Sequence, residues 1–121
     1  FFSKAFAEPT SITPSLISQN QNMIKISYEI QNPTILDFTG NVQFVYDKKC
    51  LSSYAQQDTQ AVSVKSKGVQ AFSQQITIAQ TGYNTPLPDS CYQTQNIFLR
   101  IVDTNNAIVY DTKEVNLLIT R

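Results

Sequence analysis

The chain of 121 residues contains no histidine, two cysteines and nine acidic residues, and these counts limit the chemistry it can do. Without histidine, the commonest general base, the Ser–His and Cys–His nucleophile pairs and every histidine-based metal site are missing. The acidic residues are Glu8, Glu29, Asp37, Asp47, Asp58, Asp89, Asp103, Asp111 and Glu114. Most of them stand at predicted strand ends or turns, where capping is their ordinary role. We therefore expect no catalytic residue, no cofactor and no metal, and we interpret the chain as a non-enzyme.

One acidic stretch could be considered as a metal site. It is the segment Asp103-Thr104-Asn105-Asn106. Carboxylate and amide oxygens could converge there on calcium. Asp and Asn are also the residues that tolerate the left-handed conformations of tight turns. We favour the plain turn and predict a hairpin at this position.

The two cysteines, Cys50 and Cys91, are widely separated and do not form a CxxC motif. With no histidine and no further cysteine, a zinc site lacks ligands. An even cysteine count in a small domain favours a disulfide and an oxidising compartment. We predict a Cys50–Cys91 bridge near loops, which would join a loop to the edge of a strand.

Aromatic residues in predicted connecting loops are the candidates for ligand binding. They are Phe38, Tyr54, Tyr83 and Tyr92, accompanied by the amides of Gln56 and Asn84. A Cys50–Cys91 bridge would bring Tyr54 close to Tyr83 and Tyr92, and we call these three residues the tyrosine patch. Tyrosine offers a broad contact area and a hydroxyl to a protein or glycan. The alternative is that these rings only cover the edge of the core.

The charge balance excludes some partner classes. Lys plus Arg and Asp plus Glu number 9 each, and the sequence pI is about 6.3. The chain therefore has no basic stripe for nucleic acid and no polybasic patch for an anionic membrane. No apolar run approaches the roughly 20 residues that a membrane-spanning helix needs, so we expect no membrane insertion.

The chain begins FFSKAFAEPT, and this segment has two interpretations. Ala5-x-Ala7 followed by Glu8-Pro9 fits the end of a cleaved signal peptide, which would export the protein to the periplasm or beyond. Residues 1–9 could equally be an N-terminal arm whose phenylalanines pack on the domain. Residues 10–121 are predicted to form a single domain, which suits a chain of this length.

A period of two residues dominates the rest of the chain and predicts β-strands. Strands are expected over Met23–Ile30, Val42–Tyr46, Ala61–Lys65, Val69–Ala79, Asn96–Val102 and Ala107–Thr120. Gly40-Asn41 is predicted to be a turn, and Asp111-Thr112-Lys113 a bulge. About seven strands with turn signals between them predict a two-sheet antiparallel β-sandwich.

Two segments resemble a known type of domain. The stretch IKISYEIQNPT resembles the second strand of bacterial immunoglobulin-like and fibronectin-III-like domains, and IFLRIVDTNNAIVYDTKEVNLLIT resembles their final hairpin. The resemblance implies an Ig-like β-sandwich over residues 20–120. It departs from antibody domains in one respect, because the chain has no tryptophan to pack on a central disulfide.

Asn32-Pro33-Thr34 also resembles the first loop of chagasin-type cysteine-protease inhibitors. The chain continues Ile-Leu-Asp-Phe rather than Thr-Gly-Tyr, and it has no Arg-Pro pair. We therefore predict first a secreted or periplasmic bacterial binding module, similar to small effectors and adhesion modules, that recognises a protein or glycan. The alternatives are an envelope component that pairs an edge strand with a partner, and a chagasin-like inhibitor.

Overall fold

The computed structural model describes residues 11–20, 23–47, 49–52, 59–78, 88–105 and 107–119. Its strands are β1 (Ser11–Asn20), β2 (Met23–Gln31), β3 (Phe38–Val45), β4 (Leu51–Ser52), β5 (Thr59–Val64), β6 (Val69–Ile78), β7 (Thr94–Val102) and β8 (Val109–Leu118). A short 3-10 helix over Asp89–Cys91 precedes β7. Seven strands of six residues or more, together with the two-residue β4, confirm the predicted all-β architecture.

The strands form two antiparallel sheets. The first sheet has the order β1-β2-β6-β4, and the second has the order β5-β3-β7-β8. Every pairing is antiparallel, so the fold is the two-sheet antiparallel β-sandwich that the sequence predicts. Residues 1–9, which are predicted to be the end of a signal peptide or an N-terminal arm, lie outside the described residues.

Alternate residues of the two sheets fill the space between them, as the period of two predicts. From β2, Ile24, Ile26, Tyr28 and Ile30 are fully buried; from β7, Ile97, Leu99 and Ile101 are fully buried. The end of the chain adds Val115, Leu117 and Ile119. Burying a side chain of this kind contributes about 1.5–3 kcal/mol each, so these faces supply the main stabilisation.

The predicted turn at Gly40-Asn41 is wrong, because both residues lie inside β3. Gly40 is buried, and a Cβ there would lie 2.6 Å from Cζ of Phe38 and against the carbonyl oxygen of Val102. Glycine is present because a ring and a neighbouring strand approach its Cα closely. The glycine is needed here for close packing inside a strand, although the sequence alone predicted a turn.

The predicted bulge in the last strand is present, one residue earlier than expected. Ile101 pairs with Asp111 and Val102 with Val109, so Tyr110 is the extra residue. The extra residue changes which alternate residues of β8 face the core. After the bulge, β8 buries Val115 and Leu117.

Candidate functional site

The Cys50–Cys91 disulfide is present, with the two Cα atoms 5.5 Å apart. Cys50 ends a turn just before β4 of the first sheet, and Cys91 ends the 3-10 helix just before β7 of the second. Both cysteines are buried. The bridge therefore lies outside the strands, as predicted, and joins the two sheets at one end of the sandwich, which we call the disulfide end.

Backbone hydrogen bonds fix the chain on both sides of the bridge. The amides of Cys50 and Leu51 donate to the carbonyl oxygen of Asp47 at 3.2 and 3.1 Å, and the amide of Cys91 donates to that of Pro88 at 2.9 Å. The side chain of the buried Gln95 donates from Nε2 to the Cys91 carbonyl at 3.1 Å. The segment that carries Cys91 is thus held in place by hydrogen bonds as well as by the disulfide bond.

Tyr92 is the member of the tyrosine patch that the structure describes. It follows the bridged Cys91 directly, its ring is half-buried against the core, and its amide donates to the carbonyl oxygen of Asp89 at 3.1 Å. Tyr54, Tyr83, Gln56 and Asn84 lie outside the described residues. The tyrosine patch as a ligand site therefore stays a prediction.

Phe38 lies at the opposite end of the sandwich from Tyr92. It is the first residue of β3 rather than part of a loop, and its ring contacts that of Tyr110 edge to face, with centroids 5.3 Å apart. The strand β3 runs from Phe38 to Val45 toward the disulfide end, a length of about 24 Å in an extended strand. Phe38 and Tyr92 therefore cannot contact one small ligand together.

The connection between β2 and β3 is held by several hydrogen bonds of one buried side chain, that of Asn32. The buried Asn32 side chain donates from Nδ2 to the carbonyl oxygens of Leu36 at 2.8 Å, Val64 at 3.1 Å and Lys65 at 3.3 Å. Its Oδ1 accepts from the amide of Thr34 at 3.1 Å and from the Thr34 hydroxyl at 2.6 Å. We call residues 32–37 the braced turn.

The braced turn is also attached to the neighbouring turn between β5 and β6. The amide of Lys67 donates to the carbonyl oxygen of Thr34 at 3.0 Å, and the amide of Ser66 donates to Oδ1 of Asp37 at 2.9 Å. Lys65 Nζ lies 3.8 Å from Oδ2 of the same aspartate. Two turns from different parts of the chain thus form one hydrogen-bonded unit.

Two aliphatic side chains project from this unit into solvent. Ile35 is 78% exposed and Leu36 is 52% exposed. The topology places further exposed apolar residues at the same end of the sandwich: Val69 at the start of β6, Ile108 before β8 and Val109 at its start. The Asn32 and Thr34 side chains bond within the turn, and the Asp37 carboxylate accepts from the Ser66 amide. The two exposed aliphatic side chains are therefore what the tip of the turn offers to a partner.

Several acidic residues hold backbone amides. Oδ1 of Asp103 accepts from the amides of Asn105 and Ala107, both at 2.9 Å, which is the predicted hairpin turn. Oδ2 of Asp111 accepts from the amide of Ile12 at 2.9 Å. Among the described residues, no three His, Cys, Asp or Glu side chains group so that they could hold a metal ion.

Among the described residues, no helix has the length and hydropathy of a membrane span.

Sequence reasoning did not identify Ile35 and Leu36. The signal was available in NPTILDF, where two adjacent aliphatic residues follow a proline in a connection between strands. A strand connection ordinarily carries polar residues. Their exposure could not be read from the sequence, because it depends on contacts between the braced turn and residues about thirty positions later.

Comparison with solved structures shows a shared fold at low sequence identity. A FixG-related protein from Vibrio parahaemolyticus is similar with a TM-score of 0.65 at 12% identity, over 95% of this chain and 100% of that chain. Part of a β-glucuronidase from Bacteroides uniformis is similar with a TM-score of 0.56 at 10% identity, over 91% of this chain. Part of a β-glucosidase from Kluyveromyces marxianus is similar with a TM-score of 0.50 at 11% identity, over 95% of this chain.

The chain corresponds to only 13% of the β-glucuronidase and 14% of the β-glucosidase, so the likeness is to one part of each enzyme. No family model matches the chain, and no curated protein matches it in sequence. Identities of this size show the fold alone, which is a β-sandwich.

Proposed function

We propose that this chain is a non-catalytic binding module that engages a partner protein through the braced turn. The observation that supports this is the exposure of Ile35 and Leu36 on a turn whose backbone is fixed by the buried Asn32. Adjacent aliphatic side chains with so little cover favour contact with another apolar surface.

The rigidity of the turn favours binding because less order has to be created when the partner arrives. Burying an isoleucine or leucine fully contributes about 1.5–3 kcal/mol, so these two partly covered side chains together can contribute about 3 kcal/mol. A flexible loop would lose part of that gain to the entropy of ordering its backbone. In the braced turn, hydrogen bonds of the folded protein already order the backbone before a partner binds.

The surroundings of the two side chains favour a protein over a membrane or a glycan. Asp37 and Lys65 form an exposed pair beside them, which makes a mixed polar rim of the kind that surrounds protein interfaces. A single further lysine, Lys67, is too little charge to hold a module on an anionic membrane. Aliphatic groups have no donors or acceptors for sugar hydroxyls.

Export to an oxidising compartment is part of this proposal, because a buried disulfide persists where thiols are not kept reduced. The Ig-like or fibronectin-III-like type, a signal peptide and a bacterial source belong to the proposal too. They follow from the resemblance of IKISYEIQNPT and from Ala5-x-Ala7.

The tyrosine patch at the disulfide end is a second candidate surface, for a protein or a glycan. It is supported by the bridge, which fixes the segment that carries Tyr92. Joint replacement of Tyr54, Tyr83 and Tyr92 by alanine would remove this surface and leave the braced turn intact. The chagasin-like alternative rests on the motif Asn32-Pro33-Thr34. The Asn32 side chain is buried and bonds to its own turn and to the carbonyl oxygens of Val64 and Lys65.

Partner capture with two matched variants tests the proposal. The immobilised chain is exposed to envelope and surface proteins of the producing bacterium and of cells that it contacts, and retained proteins are quantified by mass spectrometry. Ile35→Ser with Leu36→Ser should reduce capture of the partner at least about tenfold, as loss of about 1.4 kcal/mol or more implies. Leu118→Ser, which changes a side chain 56% exposed at the other end, should leave capture unchanged.

The outcome that contradicts the proposal is equal capture by the turn variant and the Leu118→Ser control. A glycan-array signal that survives the turn variant and disappears in the triple tyrosine variant would support the second candidate instead.

A further inference from the structure

The four outer strands of the two sheets differ in how they are protected against pairing with another strand. Exposed edges are ordinarily blocked by short length, proline, charged side chains or bulges. β4, an edge of the first sheet, is only two residues long. β1, the other edge of that sheet, contains Pro14 and a register irregularity between Pro14 and Leu16.

β8, an edge of the second sheet, is protected by charged side chains and by a bulge. It carries Asp111, Lys113 and Glu114, and the bulge lies at Tyr110. It also lies beside β1, where Oδ2 of Asp111 accepts the amide of Ile12 at 2.9 Å. The edges β1 and β8 are therefore joined to each other by a hydrogen bond on one side of the sandwich.

β5, the remaining edge, has none of these devices. Its sequence TQAVSV has no charge and no proline, and it pairs with β3 in unbroken register from Thr59 opposite Gln43 to Val64 opposite Phe38. No described strand pairs with its outer side. Alternate residues of an antiparallel edge direct both N–H and C=O groups outward, so β5 presents backbone groups that an extended strand can satisfy.

We propose that a second copy of this chain occupies that edge, with β5 paired antiparallel to β5 of the copy across a twofold axis. The pairing joins two four-stranded sheets into one continuous sheet. It is isologous, so it closes at two copies. This inference does not depend on the braced turn or on its partner.

The pattern of β5 is suited to pairing with itself. Residues directly opposite each other in an antiparallel pair lie on the same face. A twofold axis through Ala61 or through Val62 therefore keeps Val62 and Val64 on the core side and leaves Ala61 and Ser63 on the outer side in both copies. β5 carries no charged residue, so no like charges face each other across the pair. The formal net charge of the chain is zero, so no net charge opposes the association of two copies.

Charge pairs placed on β5 test the inference. Sedimentation of the wild-type chain across about a hundred-fold range of concentration should show a species of twice the chain mass of 13.6 kDa. Ala61→Lys with Ser63→Lys puts like charges opposite each other about either axis, and so does Ala61→Glu with Ser63→Glu. Each variant alone should be monomeric, and an equal mixture of the two should recover the dimer.

Ala61 and Ser63 are exposed, so both variants should keep the circular-dichroism spectrum and the cooperative thermal unfolding of a folded sandwich. The matched control is Thr112→Lys with Asn116→Lys on β8, which should leave the dimer unchanged. A wild-type chain that is monomeric at every concentration overturns the inference. A dimer that persists in both β5 variants overturns it too, because the copies would then meet elsewhere.

Discussion

The hydroxyl of Tyr28 is the polar group of the core whose environment is least favourable. The residue is fully buried, and its ring contacts those of Phe72 and Phe44 with centroids 5.8 and 6.0 Å away. The hydroxyl has no hydrogen-bond partner among the described residues. Burial raises the pKa of Tyr28 well above its ordinary value of 10.0, because an ionised phenolate would be poorly solvated there.

We predict that Tyr28→Phe raises the free energy of unfolding by about 1 kcal/mol, since a buried hydroxyl without a partner is destabilising by about 1–3 kcal/mol. Chemical denaturation of both chains at pH 7 measures the change. Tyr110→Phe, at a half-buried ring, is the matched control and should change the free energy less. A loss of stability in Tyr28→Phe would contradict the prediction and show that the hydroxyl has a partner.

The same residue also gives the sign of a pH dependence. Because the folded pKa of Tyr28 lies above the unfolded value near 10.0, the unfolded chain releases this proton first. The contribution of Tyr28 to the free energy of unfolding is therefore fully present below pH 10, and it is lost as the pH rises further. Tyr28→Phe should reduce this decline.

Asn32 shows at the residue scale what a sequence can and cannot reveal. The strand predicted over Met23–Ile30 ends within one residue of β2, because Pro33 cannot donate to a strand ladder. The role of the amide was not predictable, since two of the carbonyls that it binds belong to Val64 and Lys65. Partners so distant in sequence leave no local pattern.

At the scale of elements, strands with one buried face were the most predictable. β2 alternates apolar and polar residues, and β7 contains a nearly continuous apolar run. Both patterns are typical of strands inside a sheet, where both strands lie. β8 was predicted together with its change of facing, because Asp111 and Lys113 interrupt the alternation.

Elements whose conformation depends on distant neighbours were harder to predict. β3 begins earlier than expected, because Gly40 signals a turn locally but is required by the Phe38 ring. β1 was not assigned, since Pro14 argues against a strand unless the strand is at an edge. β4 was not assigned either; it is only two residues long and pairs with Ile78 and Thr77 of β6.

At the scale of the whole molecule, the disulfide closes a large loop and joins the sheets. Cys50 and Cys91 are 41 positions apart, and closing a loop of that length stabilises a fold by about 4 kcal/mol in the chain-entropy model. We predict that reduction lowers the free energy of unfolding by about that amount. Urea titration with and without a thiol-free reductant measures it.

A variant with Cys50→Ala and Cys91→Ala should match the reduced wild type, and added reductant should not change it further. Equal unfolding midpoints for the oxidised and reduced wild type would show that the bridge does not stabilise the fold.

We infer that the braced turn is rigid before any partner arrives, so that Ile35 and Leu36 are presented ready to bind. Nuclear magnetic relaxation of the free protein tests this at the amides of residues 34–37. We expect order parameters of about 0.85 at these amides, equal to those of the strands, and lower values at the same amides in Asn32→Ala. Values below about 0.6 in the wild type would contradict it, because the two side chains would then sit on a flexible loop.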